Sequence, residues 1–137
     1  MSGPTMGKKS SSLESSDILS RNQLTQRARV KHILIGWKDL EYAYGGRMDE
    51  RAQKRTKSDA EALARQLYDR AVAGEAFEAL MIEHSEDGGT ASSAAPLEVT
   101  PGAELVEPFK RLSLRLEPGE IGIVLTDFGW HIIKRVV

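Results

Sequence analysis

The chain reads as an α+β domain built on one mainly antiparallel sheet. Three observations carry that reading. Strand-like runs stand toward both ends, VKHILI at 30–35 and two β-rich segments at 120–126 and 130–137. The clearest helical periodicity lies between them, from residue 58 to residue 84. The last two strands are joined by Asp127-Phe128-Gly129, which has the chemistry of a hairpin turn. Strands at both ends around central helices favour this class.

The elements follow in order. Residues 1–20 are rich in Ser, Gly and Lys and poor in large apolar groups, and residues 21–29 are a polar bridge. Such a segment cannot offset the entropy of ordering, so 1–28 is expected to be a disordered tail and 29–137 the folded domain. In the first strand Val30, His32 and Leu34 share one face and Lys31, Ile33 and Ile35 the other. Apolar residues on both faces predict burial on both sides. Residues 36–57 form a long polar stretch with a turn at 42–46 and a basic run of Arg47, Arg51, Lys54, Arg55 and Lys57. Part of it, around 48–55, reads as an extension of the next helix. That helix opens on a capping box, Ser58 with Glu61, continues through Ala60, Leu63, Ala64, Leu67 and Ala71, and stops at Gly74. A shorter helix places Phe77, Leu80, Met81 and His84 on one stripe. A small polar loop covers 85–93, a short strand 96–99, and a helix 104–114 carries Pro108 in its first turn. Pro118-Gly119 turns the chain into the closing hairpin.

Length and composition bound the function. The chain has 137 residues, 40% hydrophobic and 28% charged, the proportions of one soluble domain. It has no cysteine, which excludes disulfides, cysteine-ligated metals and thiol catalysis. Residues 1–31 hold six Lys/Arg and two Asp/Glu, the remainder thirteen and eighteen. A mildly acidic body argues against nucleic-acid binding. No apolar run approaches the roughly 18 residues of a membrane span, and the first thirty residues lack the apolar core of a signal peptide. The expectation is a soluble monomer, with a cytoplasmic location slightly ahead of an exported one.

Few residues invite chemistry. His32 and His131 sit in apolar strand runs, where burial favours the neutral ring. Each reads as a hydrogen-bonded core histidine, and the two are candidates for sheet neighbours bonded ring to ring. His84 ends a helix. Zinc spacing, a nucleophile elbow, a Walker motif and GxGxxG are all absent, so neither metal nor cofactor is expected. Asp87 lies in Ser85-Glu86-Asp87-Gly88-Gly89, a solvated turn by composition and too poor in oxygen ligands for calcium.

Residues 29–137 nevertheless resemble the parvulin family of peptidyl-prolyl cis/trans isomerases. RVKHILI is similar to the family's first strand with its central histidine. AEALARQLYDRAVAGEAFEALMIEHSED resembles the long helix, the Gly-x-x-Phe turn and the second helix ending in Ser-Glu-Asp. ELVEPFKRLSLRLEPGEIGIVLTDFGWHIIKRV resembles the third helix, the Pro-Gly-Glu-Ile turn and the Phe-Gly-x-His-Ile-Ile strand. The resemblance implies a four-stranded antiparallel sheet surrounded by about four helices, with the site on a concave sheet face. It implies catalytic roles for His32, Asp87, Thr126 and His131, and a substrate pocket of Leu97, Leu105, Phe109 and Phe128. The partners would be proline-containing peptides or unfolded segments. One stretch departs from the family: where Gly-Gly-Asp-Leu-Gly and an aromatic are usual, the chain has Ala94-Ala95-Pro96-Leu97-Glu98-Val99. That departure supports a second reading, a non-catalytic peptide-binding or chaperone module of the same fold. The basic run after the first strand, where some parvulins read phosphate before proline, is open between a phosphate site, a preference for acidic residues and a solvated loop.

Overall fold

The alternation at 30–35 builds the centre of the sheet. In the computed structural model, which describes residues 13–137, strand β1 (Ala28–Ile35) lies between two neighbours. Strand β2 (Leu97–Val99) pairs on one side, and β4 (Gly129–Arg135) on the other carries β3 (Ile121–Thr126) beyond it. The order is β2-β1-β4-β3 and every pairing is antiparallel. The register sets His32 opposite Ile133 and Leu34 opposite His131, so the two histidines are diagonal neighbours on one face.

Period-2 alternation divides the interior into two layers. On the back face Ile33, Ile35, Trp130 and Ile132 pack against α3 (Lys57–Val72) and α4 (Phe77–His84), which contribute Leu67, Phe77, Leu80 and Met81. On the front face Val30 and Ile133 meet Phe109 and Leu112 of α5 (Glu107–Ser113). Gly129 opens β4 at φ 132° with the Ile35 carbonyl so close that any Cβ would collide with it. This glycine lets the hairpin turn lie against the end of β1.

Several boundaries differ from the sequence reading. The box that starts α3 is Thr56 with Asp59: the Asp59 amide donates to Thr56 Oγ1 at 3.1 Å and the Thr56 amide to Asp59 Oδ2 at 3.0 Å. Ser58 and Glu61 have the same spacing, but the chain is already helical at Lys57. Residues 48–55 do not extend α3. They hold a separate turn, α2 (Glu50–Gln53), capped by the Asp49 carboxylate, and extended Thr56 ends its continuity with α3. Between β1 and α2 the chain forms a 3₁₀ turn at Lys38–Ala43. Helix α5 begins at Glu107 rather than 104 because Val106 is extended, which places Pro108 in the first turn where its missing amide costs nothing.

The expected tail divides at residue 12. Residues 1–12 lie outside the described residues. Residues 13–28 are corrected: Leu13 and Ile18 are buried, one in each core layer, and Ser16–Leu19 forms a short helix, α1. The segment covers the outer edge of β3. The Ser15 amide donates to the Ile123 carbonyl and the Ile123 amide to Ser15 Oγ, both at 2.9 Å, and Glu14 accepts from the Leu125 amide. Arg21 then forks onto Glu120 at 2.7 and 2.9 Å. The ordering is supplied by the unpaired edge amides of a strand about a hundred residues away in sequence, a demand invisible in local composition.

Candidate functional site

The front face carries a chain of side-chain hydrogen bonds, buried from His32 to Thr126 and ending at the part-exposed Asp87. His32 Nε2 lies 2.9 Å from Asp87 Oδ2, His32 Nδ1 lies 3.3 Å from His131 Nδ1, and His131 Nε2 lies 2.8 Å from Thr126 Oγ1. Thr90 Oγ1 donates to Asp87 Oδ2 at 2.7 Å, and the Phe128 amide donates to Thr126 Oγ1 at 3.0 Å. With both rings neutral one assignment satisfies every contact. His32 donates from Nε2 to Asp87, His131 donates from Nδ1 to His32, and Thr126 donates to His131 Nε2.

Electrostatics fix the state of two members of the chain, His131 and Asp87. Burial, with the nearby His32 ring adding to it, lowers the His131 pKa to about 3. The bond from His32 holds the Asp87 carboxyl down at about 2, against the opposing pull of burial. At neutral pH Asp87 is ionised and His131 is neutral. Phe109 seals the pair from above, edge-on to both rings, at 5.0 Å from His32 and 5.2 Å from His131.

Asp87 is presented by a clamp at the end of α4. The Leu34 amide donates to Ser85 Oγ at 3.1 Å, and the Glu86 amide returns a bond to the Leu34 carbonyl at 2.9 Å. Glu86 turns inward, accepting from the Gly36 amide at 2.8 Å and pairing with Arg55 at 2.5 Å. Arg51 chelates Asp49 and reaches the carbonyls of Glu83 and Ser85. Two arginines of the basic run thus buttress the site from behind, and none of its five basic residues lines the groove.

The groove has a volume of about 330 Å³. His32, Asp87, His131, Leu97, Leu105, Phe109 and Phe128 all line it, and Thr126 sits buried behind His131. All eight expected positions therefore converge. Pro96 precedes the first residue of β2, so the altered 94–99 stretch loses no ladder amide and Leu97 keeps its register opposite Val30. Sequence reasoning missed Thr90, Leu34 and Tyr44. A hydroxyl three residues after Asp87 was a legible signal for Thr90. Tyr44 comes from the long loop, donates its hydroxyl to the Phe128 carbonyl and stacks edge-on against the Phe128 ring. Nothing local marks it.

Sheet, helices and groove together define a domain of parvulin type. The family description "PPIC-type PPIASE domain" matches residues 15–136, and the chain belongs to that family. It is 35% identical over 107 residues to the chaperone SurA of Chromohalobacter salexigens, covering 77% of this chain and 21% of that protein. It is 28% identical over 119 residues to the foldase protein PrsA of Geobacillus kaustophilus, covering 86% and 42%. Its fold superimposes on the solution structure of TbPIN1 with a TM-score of 0.69 and 26% identity, over 82% of this chain and 99% of that one. The chain thus spans less than half the length of these two curated relatives. No helix among the described residues is long and apolar enough to cross a membrane.

Proposed function

We propose that this domain accelerates cis/trans isomerisation of X–Pro bonds in polypeptides and so assists protein folding. The observation that carries the reading is the hydrogen-bond chain from the part-exposed Asp87 through two buried histidines to Thr126, beneath Phe109 in a groove open to a peptide. The uncatalysed barrier is about 18–20 kcal/mol, and no bond is made or broken. The transition state is a peptide twisted out of conjugation, so catalysis consists of holding that form better than either planar one. Leu97, Leu105 and Phe109 offer the proline ring an apolar seat, with Phe128 at the rim. A 10⁵-fold acceleration needs only about 7 kcal/mol of selective stabilisation, within reach of shape, desolvation and a few hydrogen bonds.

In this reading the histidines orient and tune. A ring with a pKa of about 3 does not donate protons at neutral pH. The ionised Asp87 sets the direction of the chain, and Thr126 links it to the backbone of the turn that carries Phe128. Arg51 and Arg55 are spent on Asp49 and Glu86, which weighs against a phosphate site in the loop.

The names of the relatives, chaperone and foldase, favour keeping the second reading in which the groove only holds proline-containing segments. Two-dimensional exchange NMR on a short Ala-Pro peptide separates the two. Line broadening or cross-peaks at sub-stoichiometric protein establish catalysis. Binding shifts without faster exchange would leave only the holding function.

A further inference from the structure

The groove has a charge asymmetry. Two cavities meet at Val106: the groove itself and a second, of about 420 Å³, lined by Leu125, Thr126 and Asp127 beside Glu107 and Pro108. The charged side chains along the two are Asp87, Glu104, Glu107 and Asp127, and no Lys or Arg lines either. Two of these acids are already engaged. Asp87 is held by His32 and Thr90, and Glu107 pairs with Lys110 at 3.0 Å. Glu104 and Asp127 are exposed and have no ion pair or hydrogen bond among the described residues. One stands before α5 and the other in the hairpin turn, so they approach the groove from separate elements.

We propose that Glu104 and Asp127 select polypeptides carrying Lys or Arg beside the proline, a preference that rests on the isomerase reading of the groove. A chain whose proline rests on Phe109 must pass over the walls of these cavities. Uncompensated carboxylates there attract a cationic neighbour and repel an anionic one, through steering and through pairing in the bound state. Exposed pairs are individually weak, so the discrimination is graded rather than absolute.

The test uses three peptides identical except for Lys, Ala or Glu on each side of the proline, followed by exchange NMR. At low ionic strength kcat/KM is expected to run Lys above Ala above Glu, with about a five-fold span that narrows in about 0.5 M salt. The double variant Glu104→Gln with Asp127→Asn brings the Lys-to-Glu ratio close to one, and Glu104→Lys with Asp127→Lys inverts it. Both positions are exposed, and amide shift dispersion checks that the variants are folded. Equal rates for the three peptides, or a ratio unchanged in the double variant, would overturn the proposal. If no peptide is accelerated, the isomerase reading fails separately. The same peptides titrated for Kd by chemical shift then decide the charge preference, and equal Kd values overturn it.

Discussion

Strands β1 and β4 build both faces of the sheet, yet one face is sealed and the other is open. On the back, Ile33, Ile35 and Ile132 are fully buried under α3, whose buried face includes the small residues Ala60, Ala64 and Ala71. On the front, the alternate residues of the same strands include His32 and His131, and a shorter helix covers only part of the surface. The back is held by non-directional burial. The front adds to its own apolar cluster a series of directional bonds in which the buried polar atoms of His32, His131 and Thr126 satisfy one another. Polarity can be buried in an apolar strand when the period-2 geometry aims it at a complementary series.

The contrast can be broken from either side. The largest effect is expected at the back: Phe77→Ala empties a fully buried site and should cost about 3–5 kcal/mol. Isomerase kcat/KM of the folded fraction should stay within about three-fold, since no Phe77 atom reaches the groove. Chemical denaturation and exchange NMR on one sample test both halves. Phe109→Ala on the front should lose about 3 kcal/mol and at least about ten-fold in kcat/KM, because Phe109 seals both rings. Full activity in that variant would remove Phe109 from the site.

Removing residues 1–20 tests a segment that serves both layers. Leu13 joins the back core and Ile18 the front, so the deletion should cost about 3 kcal/mol and expose the β3 edge to self-association. Unchanged stability and a monomeric sedimentation profile would restore the disordered-tail reading of 13–20.

The pH dependence sharpens the account of the front. His131 has a folded pKa of about 3 against an ordinary 6.5, so the unfolded chain takes up the proton first. Stability is full above about 6.5 and should fall on acidification toward pH 3, by up to about 1.4 kcal/mol per unit from this ring. Asp87, held at about 2, adds a loss of the same sign between about pH 4 and 2. Denaturation midpoints at pH 7, 6, 5 and 4 measure the slope, and a flat profile would contradict a neutral buried ring. The smallest effect is expected at Ala94, a non-glycine residue at φ 51°. Ala94→Gly should relieve about 1 kcal/mol of left-handed strain, read as a higher thermal midpoint.

Much of this was legible in the chain itself. The order of strands and helices, the closing hairpin, Pro108 in the first turn of its helix and the two strand histidines follow from periodicity and turn chemistry. These are local rules, written in residues a few positions apart. The resemblance to parvulins then named eight candidate positions, which the fold brings together at the groove. Choosing between the caps Thr56–Asp59 and Ser58–Glu61 was beyond spacing, because both satisfy it.

Tertiary structure decided the rest. Ser15 and Ile123 meet across 108 positions of sequence, and that pairing orders a segment whose composition favours disorder. Arg55 could as well face solvent or a phosphate until Glu86 is buried beside it. The donor direction from Thr126 through His131 to His32 exists only once β1 and β4 are in register, because a neutral imidazole takes its tautomer from its partners. Local sequence sets which conformations each segment prefers. Burial and hydrogen-bond satisfaction are properties of groups brought together from distant segments, and those set what the histidines, arginines and the N-terminal segment do here.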